Sequence, residues 1–264
     1  RLLIVEKAMA TLSQQLKKEA VGSGADLVGI CSSSNIPEDR GKMDAVLPGH
    51  KSIMVVAVRH STGALDSQDM LVKQYDTVFT YKETDRAAHM LTRAIEARGE
   101  TAVAVPAYLP LEMGEGKMGM VGDISWRNAA VESGVAVWGQ CSLAVTEKFG
   151  PRVRLGGVLT TAELEYDKKK DSPYCNECDS CLEACPSNAL SGGGKIDKKA
   201  CGATVFKTGL RAFARYMRDL SNTASDEEAR EIVYSQKTRD LWQAFMTGNY
   251  YSCWECQRAC PVGR

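Results

Sequence analysis

The sequence predicts an α+β protein in two parts: a layered domain over residues 1–166 and a cysteine-rich module over residues 167–264. Three observations carry this. Strand-like and helix-like segments alternate through the first part, eight of the ten cysteines fall after residue 174, and a charged run from Asp167 to Asp171 with three successive lysines separates the two. A chain of 264 residues, 44% of them hydrophobic, is long enough to bury a core in each part.

The elements follow in order. From Glu6 to Ala20, Met9, Leu12, Leu16 and Ala20 recur at three- and four-residue intervals, the stripe of an amphipathic helix that Gly22 and Gly24 stop. Leu27 to Cys31 reads as a short buried strand. Ile53 to Val58 is a continuous run of mostly branched side chains introduced by the turn Pro48-Gly49, which predicts a central strand. Thr84 is placed to cap a helix to Arg98, with His89, Met90, Ala94 and Ile95 at helical spacing and Gly99 in the left-handed position beyond its end. Thr101 to Val105 follows as a strand. The segment Pro106 to Gly122, with four glycines and three methionines, cannot form a regular helix and is expected to wrap something. Ile124 to Ser133 reads as a helix ended by Gly134. Arg152 to Thr160 reads as a strand whose Gly156-Gly157 pair marks a bulge or a close backbone approach. Within the cysteine-rich part, Thr208 to Leu220 and Asp226 to Met246 are patterned as helices, the second capped by Ser225 with Glu228 three residues on.

Thirty-three Lys plus Arg balance thirty-three Asp plus Glu, so no overall field draws the chain to nucleic acid or to an anionic membrane. The longest apolar run, Ile53 to Val58, is far short of the roughly 18 residues a bilayer crossing needs. No charged segment followed by an apolar stretch opens the sequence, which predicts a cytoplasmic protein with no membrane partner. A secreted disulfide scaffold is short and cysteine-dense throughout, whereas the first 174 residues here hold only Cys31 and Cys141. The clustered thiols therefore point to metal ligation in a reducing compartment.

Cys175, Cys178, Cys181 and Cys185, followed by Pro186, spell C-x2-C-x2-C-x3-C-P, the spacing by which bacterial ferredoxins hold four-iron four-sulfur clusters. Two-residue gaps let three thiolates converge on one cube, while the cysteine before proline reaches the neighbouring cluster. Cys253, Cys256 and Cys260 with Pro261 form a second group that lacks one thiolate, and Cys201 is the available supplier. Two 4Fe-4S sites result: Cys175, Cys178, Cys181 and Cys260 on one, Cys185, Cys201, Cys253 and Cys256 on the other. Two zinc sites of four thiolates each are the alternative, but zinc needs neither the third closely spaced cysteine nor the shared Cys-Pro ending. Cys31 and Cys141 read as ordinary buried thiols. Two adjacent clusters make a short electron path, which needs a terminus in the first domain. No G-x-G-x-x-G joining a strand directly to a helix, and no Walker-type loop, supplies one.

Ala25-Asp26-Leu27-Val28-Gly29-Ile30, Leu47-Pro48-Gly49, Asp123 ahead of Glu132-Ser133-Gly134, and Phe149-Gly150-Pro151-Arg152-Val153-Arg154-Leu155-Gly156, together with the eight cysteines, resemble the cobalamin-dependent reductases: epoxyqueuosine reductase and the reductive dehalogenases. That resemblance implies a nitroreductase-like α/β sandwich holding a base-off corrinoid, followed by a ferredoxin-like domain. It implies corrinoid contacts from Gly139, Gln140, Cys141 and Ser142 and from Arg152, Val153, Arg154 and Leu155. No Asp-x-His-x-x-Gly segment supplies a histidine lower ligand. Asp123 matches a proton-donating aspartate and is alternatively a plain helix cap. Tyr108 is a second candidate acid or a pocket wall. Lys117 and Arg127 are either anion stabilisers beside it or surface charges, and His50, His60 and His89 read as isolated.

The expected function is reduction of a small organic substrate by a cobalamin fed through the two clusters from a low-potential donor such as ferredoxin or flavodoxin. The chain stops four residues after Cys260 and has no net charge, so tRNA is not expected as a partner. The competing readings are an activator of a partner's corrinoid and a ferredoxin-like carrier.

Overall fold

The computed structural model describes residues 10–109, 122–171, 174–175, 178–249 and 251–264. Its elements run α1 Leu12–Gly22, β1 Leu27–Ser32, α2 Arg40–Val46, β2 Ser52–Arg59, α3 Thr62–Asp66, α4 Met70–Glu96, β3 Ala102–Val105, α5 Trp126–Glu132, β4 Val137–Trp138, β5 Ala144–Val145 and β6 Val153–Thr160. Six helices follow: α6 Ser180–Glu183, α7 Lys198–Val205, α8 Leu210–Ser221, α9 Asp226–Val233, α10 Gln236–Thr247 and α11 Glu255–Ala259. The mixed helix-and-sheet class matches the expectation.

β1, β2, β6 and β3 lie side by side in that order, every neighbouring pair antiparallel. β2 is central, and because successive strand residues face opposite ways it feeds two cores. Ile53, Val55 and Ala57 meet Met43 of α2 and Trp126, Ala129 and Ala130 of α5. Met54 and Val56 meet Leu16 and Ala20 of α1 and Ala87, Ala88, Leu91 and Ile95 of α4. A sheet covered on both faces explains why β2 reads as an unbroken apolar run instead of an alternating one.

Several expectations change. The helix expected from Thr84 begins at Met70, capped by Asp69, whose carboxylate accepts from the Leu71 N–H at 2.8 Å. Thr84 lies in its interior, fully buried. Asp123 does not cap α5, because Ser125 holds that position and its hydroxyl accepts from the Asn128 N–H. Asp226 to Met246 is two helices, the second restarted by Ser235 as a new N-cap. Gly156 and Gly157 are no bulge: the β2–β6 register runs unbroken through Val55↔Gly157 and Val56↔Gly156. They mark close approach, since a Cβ on Gly157 would collide with the Met54 carbonyl and Trp126, and one on Gly156 would press on Thr84. Most of the segment expected to wrap something, including Lys117, lies outside the described residues.

Candidate functional site

The fold brings the first thiol set around one cavity. Cys175, Cys178, Cys181 and Cys260 line one cavity together with Gln140, Cys141, Val145, Asp179 and Val262. Cys181 sits in α6, a short helix entered through Asp179 in the left-handed conformation, and Cys260 directly follows α11. The turn Gly139–Ser142 closes over these thiols. The Gln140 N–H donates to Cys175 Sγ at 3.4 Å, its side-chain amide donates to Asp179 at 3.1 Å, and its carbonyl accepts from the Gly193 N–H at 2.7 Å. Cys141 is a fifth thiol in the same cavity. Its hydrogen bond to Cys181, with burial, pushes its own pKa up, and the Cys181 thiol in turn falls to about 7. Cys31 is an ordinary core thiol, pushed up to about 12 by burial and by Glu132 and Asp167.

The second set is also brought together. Burial and then the charges of Cys253 and Cys185 push Cys201 up, and Cys256 rises to about 12 through burial and then Cys253, Cys201, Cys181 and Cys185. Cys256 thus senses thiols of both sets, which puts the two sets side by side. Burial makes Cys201, Cys253, Cys256 and Cys260 resist ionisation, a cost that a cationic centre shared among them would offset. The donor chemistry therefore fits iron–sulfur ligation. Among the described residues, no three His, Cys, Asp or Glu side chains converge as a single-ion site.

Arg152 ties the sheet to this module. Buried, it donates to the carbonyls of Gln257 at 3.3 Å, Cys260 at 2.7 Å and Val262 at 2.5 Å. Gln257 returns a bond to the Pro151 carbonyl at 2.7 Å, and Gly150, at φ +57°, leaves room for the Val262 carbonyl that any side chain would strike. The guanidinium is spent on positioning the loop that carries Cys260. Val153 and Leu155 face the apolar core beside α5, whereas Arg154 points to the opposite face of the sheet. The four residues Arg152 to Leu155 thus cannot present their side chains to one ring.

At the α4 face, the far end of the sheet is polar. His60 is 2% exposed; its Nδ1 meets Asp76 at 2.5 Å, and Asp76 also accepts from the Ser61 N–H at 3.0 Å. Burial and then the Arg154 charge lower the His60 pKa to about 4, against the opposing pull of Asp76. Arg154 is fully enclosed. The rings of Tyr81 and Tyr251 lie on it at 4.9 and 4.6 Å, Tyr108 stacks on Tyr81 at 4.3 Å, and the Tyr108 hydroxyl donates to the Gly248 carbonyl. Arg154 Nε and Nη2 have no hydrogen-bond partner. Leaving such donors buried costs on the order of 1–3 kcal/mol each. Asp123 is half-buried and makes no hydrogen bond or ion pair among the described residues. Arg127 donates to the Ser142 carbonyl at 2.9 Å, so it braces the cysteine-side turn. Tyr81, Tyr251, Asp76 and the depth of Arg154 were not singled out from the sequence. The signal for α4's share was faint because its inner face here is Lys73, Thr77, Thr80 and Thr84.

No family model matches the chain. Over 165 residues it is 31% identical to an epoxyqueuosine reductase of Gloeobacter violaceus, covering 61% of this chain and 48% of the relative. Over 65 residues it is 40% identical to a tetrachloroethene reductive dehalogenase of Desulfitobacterium hafniense, covering 24% of this chain and 12% of that one. A crystal structure of epoxyqueuosine reductase with a tRNA-Tyr epoxyqueuosine-modified stem loop shares the fold, at a TM-score of 0.57 and 16% identity over 96% of this chain and 65% of that one. The chain is similar in sequence to epoxyqueuosine reductases and reductive dehalogenases and shares the fold of solved members of both. It spans about half or less of the length of the curated epoxyqueuosine reductases it matches.

These likenesses correct one expectation. Epoxyqueuosine reductase is the name of the curated relatives, and a structural neighbour holds a tRNA stem loop, so the expectation that tRNA is not a partner does not stand. Zero net charge is an average over 264 residues and does not exclude a local surface for a short stem loop. Among the described residues no helix is long and apolar enough to cross a membrane.

Proposed function

We propose that the chain is the catalytic and electron-transfer core of a cobalamin-dependent iron–sulfur reductase. Residues 1–166 form a nitroreductase-like corrinoid-binding domain, and residues 167–264 form a ferredoxin-like domain with two 4Fe-4S clusters. The observation that carries the reading is the meeting of Cys175, Cys178 and Cys181 with the distant Cys260 around one cavity. Cys185, Cys201, Cys253 and Cys256 hold the second cluster. Electrons enter from a low-potential donor such as ferredoxin or flavodoxin, and the reducible group is a small organic one, free or carried on tRNA.

A corrinoid, when bound, supplies a cobalt centre that can be reduced and can reduce an organic group in turn. The protein's own contributions are more specific. Cys141 and the Gln140 N–H donate to cluster thiolates, which favours the reduced, more negative state. Arg152 fixes the loop of Cys260. Of the residues the resemblance assigns to the corrinoid, Gln140 and Cys141 border the first thiol set and Arg154 keeps donors unsatisfied among the described residues. Asp123, with no cap to form, is the proposed proton donor. Tyr108, whose hydroxyl is engaged with Gly248, is a wall of the polar end.

The test is anaerobic reconstitution with iron, sulfide and hydroxocobalamin, followed by a spectrum and an iron count. About eight irons per chain and a retained corrinoid band are expected. Cys201→Ser is expected to halve the iron, and Asp123→Asn to keep the corrinoid band while slowing turnover. A colourless, zinc-loaded product would end the reading.

A further inference from the structure

Arg154 lies at the polar end of the sheet in an arrangement a purely structural arginine does not need. Its Nε and Nη2 belong to one edge of the guanidinium, the pair that meets two oxygens of a carboxylate or phosphate at once. Both are shut off from water and neither has an acceptor among the described residues, although the guanidinium also interacts with the Tyr251 hydroxyl. Among the described residues no carboxylate bonds or pairs with Arg154: Asp76, an acid near the start of α4, is committed to His60 and to the Ser61 N–H. The Tyr81 and Tyr251 rings lie against the guanidinium at 4.9 and 4.6 Å, contacts that leave the Nε–Nη2 edge without an acceptor. Both rings are half-buried, so the walls of the chamber extend to solvent. His60 Nε2 and Asn249 Nδ2 are buried and unpartnered as well, the first on the strand beside Arg154 and the second two residues before Tyr251.

We propose that this chamber is an oxyanion site in which Arg154 grips a carboxylate or phosphate group of a ligand through the two N–H groups of one edge. The oxyanion comes either from a substrate or from the phosphodiester in the nucleotide tail of cobalamin. Only the second source rests on the reductase reading above.

The test titrates the iron-loaded chain with four probes: inorganic phosphate, benzoate, hydroxocobalamin, and cobinamide, which lacks the phosphodiester. Arg154→Lys keeps the charge but cannot span two oxygens, and it is expected to weaken the recognised probe at least tenfold; Arg154→Gln is expected to abolish that binding. A loss on phosphate or benzoate with both corrinoids unaffected assigns the site to a substrate. A loss on hydroxocobalamin with cobinamide unaffected assigns it to the cofactor tail. Failure of either corrinoid to bind sinks the cofactor reading and leaves the phosphate and benzoate arms standing. Should the Arg154 variants unfold, Tyr81→Leu keeps the arginine and removes one face of its stack, with an expected three- to tenfold loss. Binding of every probe that is the same in the wild type and the variants overturns the proposal.

Discussion

The two ends of α4 pack on the same face of the same sheet by opposite means. Toward its C-terminus, Ala87, Ala88, Leu91 and Ile95 bury against Met54, Val56 and Val158 and against Leu16 and Ala20 of α1. Toward its N-terminus the inward residues are Lys73, Thr77, Thr80 and Thr84. Their hydroxyls donate back to carbonyls four residues earlier, Thr77 to Lys73 at 2.9 Å, Thr80 to Asp76 at 2.7 Å and Thr84 to Thr80 at 2.7 Å. This satisfies the polar groups without gripping anything. The grip comes from individual bonds: Asp76 to His60, Gln74 to the Tyr251 carbonyl at 3.1 Å, and the Trp254 indole N–H to Thr77 at 2.9 Å. One end is a pillar of the core, and the other is a polar platform on which the cysteine module sits.

The contrast breaks most visibly at Leu91, which is 1% exposed. Leu91→Ala should cost about 2–5 kcal/mol in denaturant unfolding, from lost burial and the cavity left behind, with iron content unchanged. Loss of iron in that variant would show that the pillar and the platform are not separate.

The polar end should instead announce itself through pH. His60 moves from an ordinary value of 6.5 to about 4 on folding, so the unfolded chain takes up its proton first as pH falls. The stability owed to a neutral His60 is complete above about pH 6.5 and is lost down to about pH 4, roughly 3 kcal/mol in all. His60→Gln should flatten that part of the stability curve. A wild type and variant with parallel curves between pH 7 and 4 would place the histidine's charge elsewhere.

The same contrast explains what could be read in advance. β2 and the latter half of α4 were legible because hydrophobic burial writes itself into periodicity. The grouping of Cys175, Cys178 and Cys181 was legible because ligation demands fixed spacing, and the fold brings them to one cavity with Cys260. The first half of α4 was not, since Thr77, Thr80 and Thr84 hide a buried face in residues that look like a surface. The cap of α5 was misplaced by two residues because Asp123 and Ser125 are both good N-caps, and only the backbone chooses between them. Cys141 and Arg154 carry no local pattern; one acquires its meaning from Cys181 and the other from Tyr81 and Tyr251, none of which is near in sequence.

The smallest expected effect tests the link between platform and cluster. Trp254 is 1% exposed, and it sits between Cys253 and Cys256, so whatever holds its indole holds two of the ligands proposed for the second cluster. Thr77→Val keeps the shape and removes the acceptor, leaving the indole N–H buried and unpaired at a cost of about 1–3 kcal/mol. Because the freed residue belongs to the cysteine loop, the change should appear less in global unfolding than in faster iron loss to a chelator. Thr77→Ser, which restores an acceptor, should recover the wild-type rate. If iron leaves Thr77→Val no faster than the wild type, the platform only supports the module and does not tune its grip on the metal.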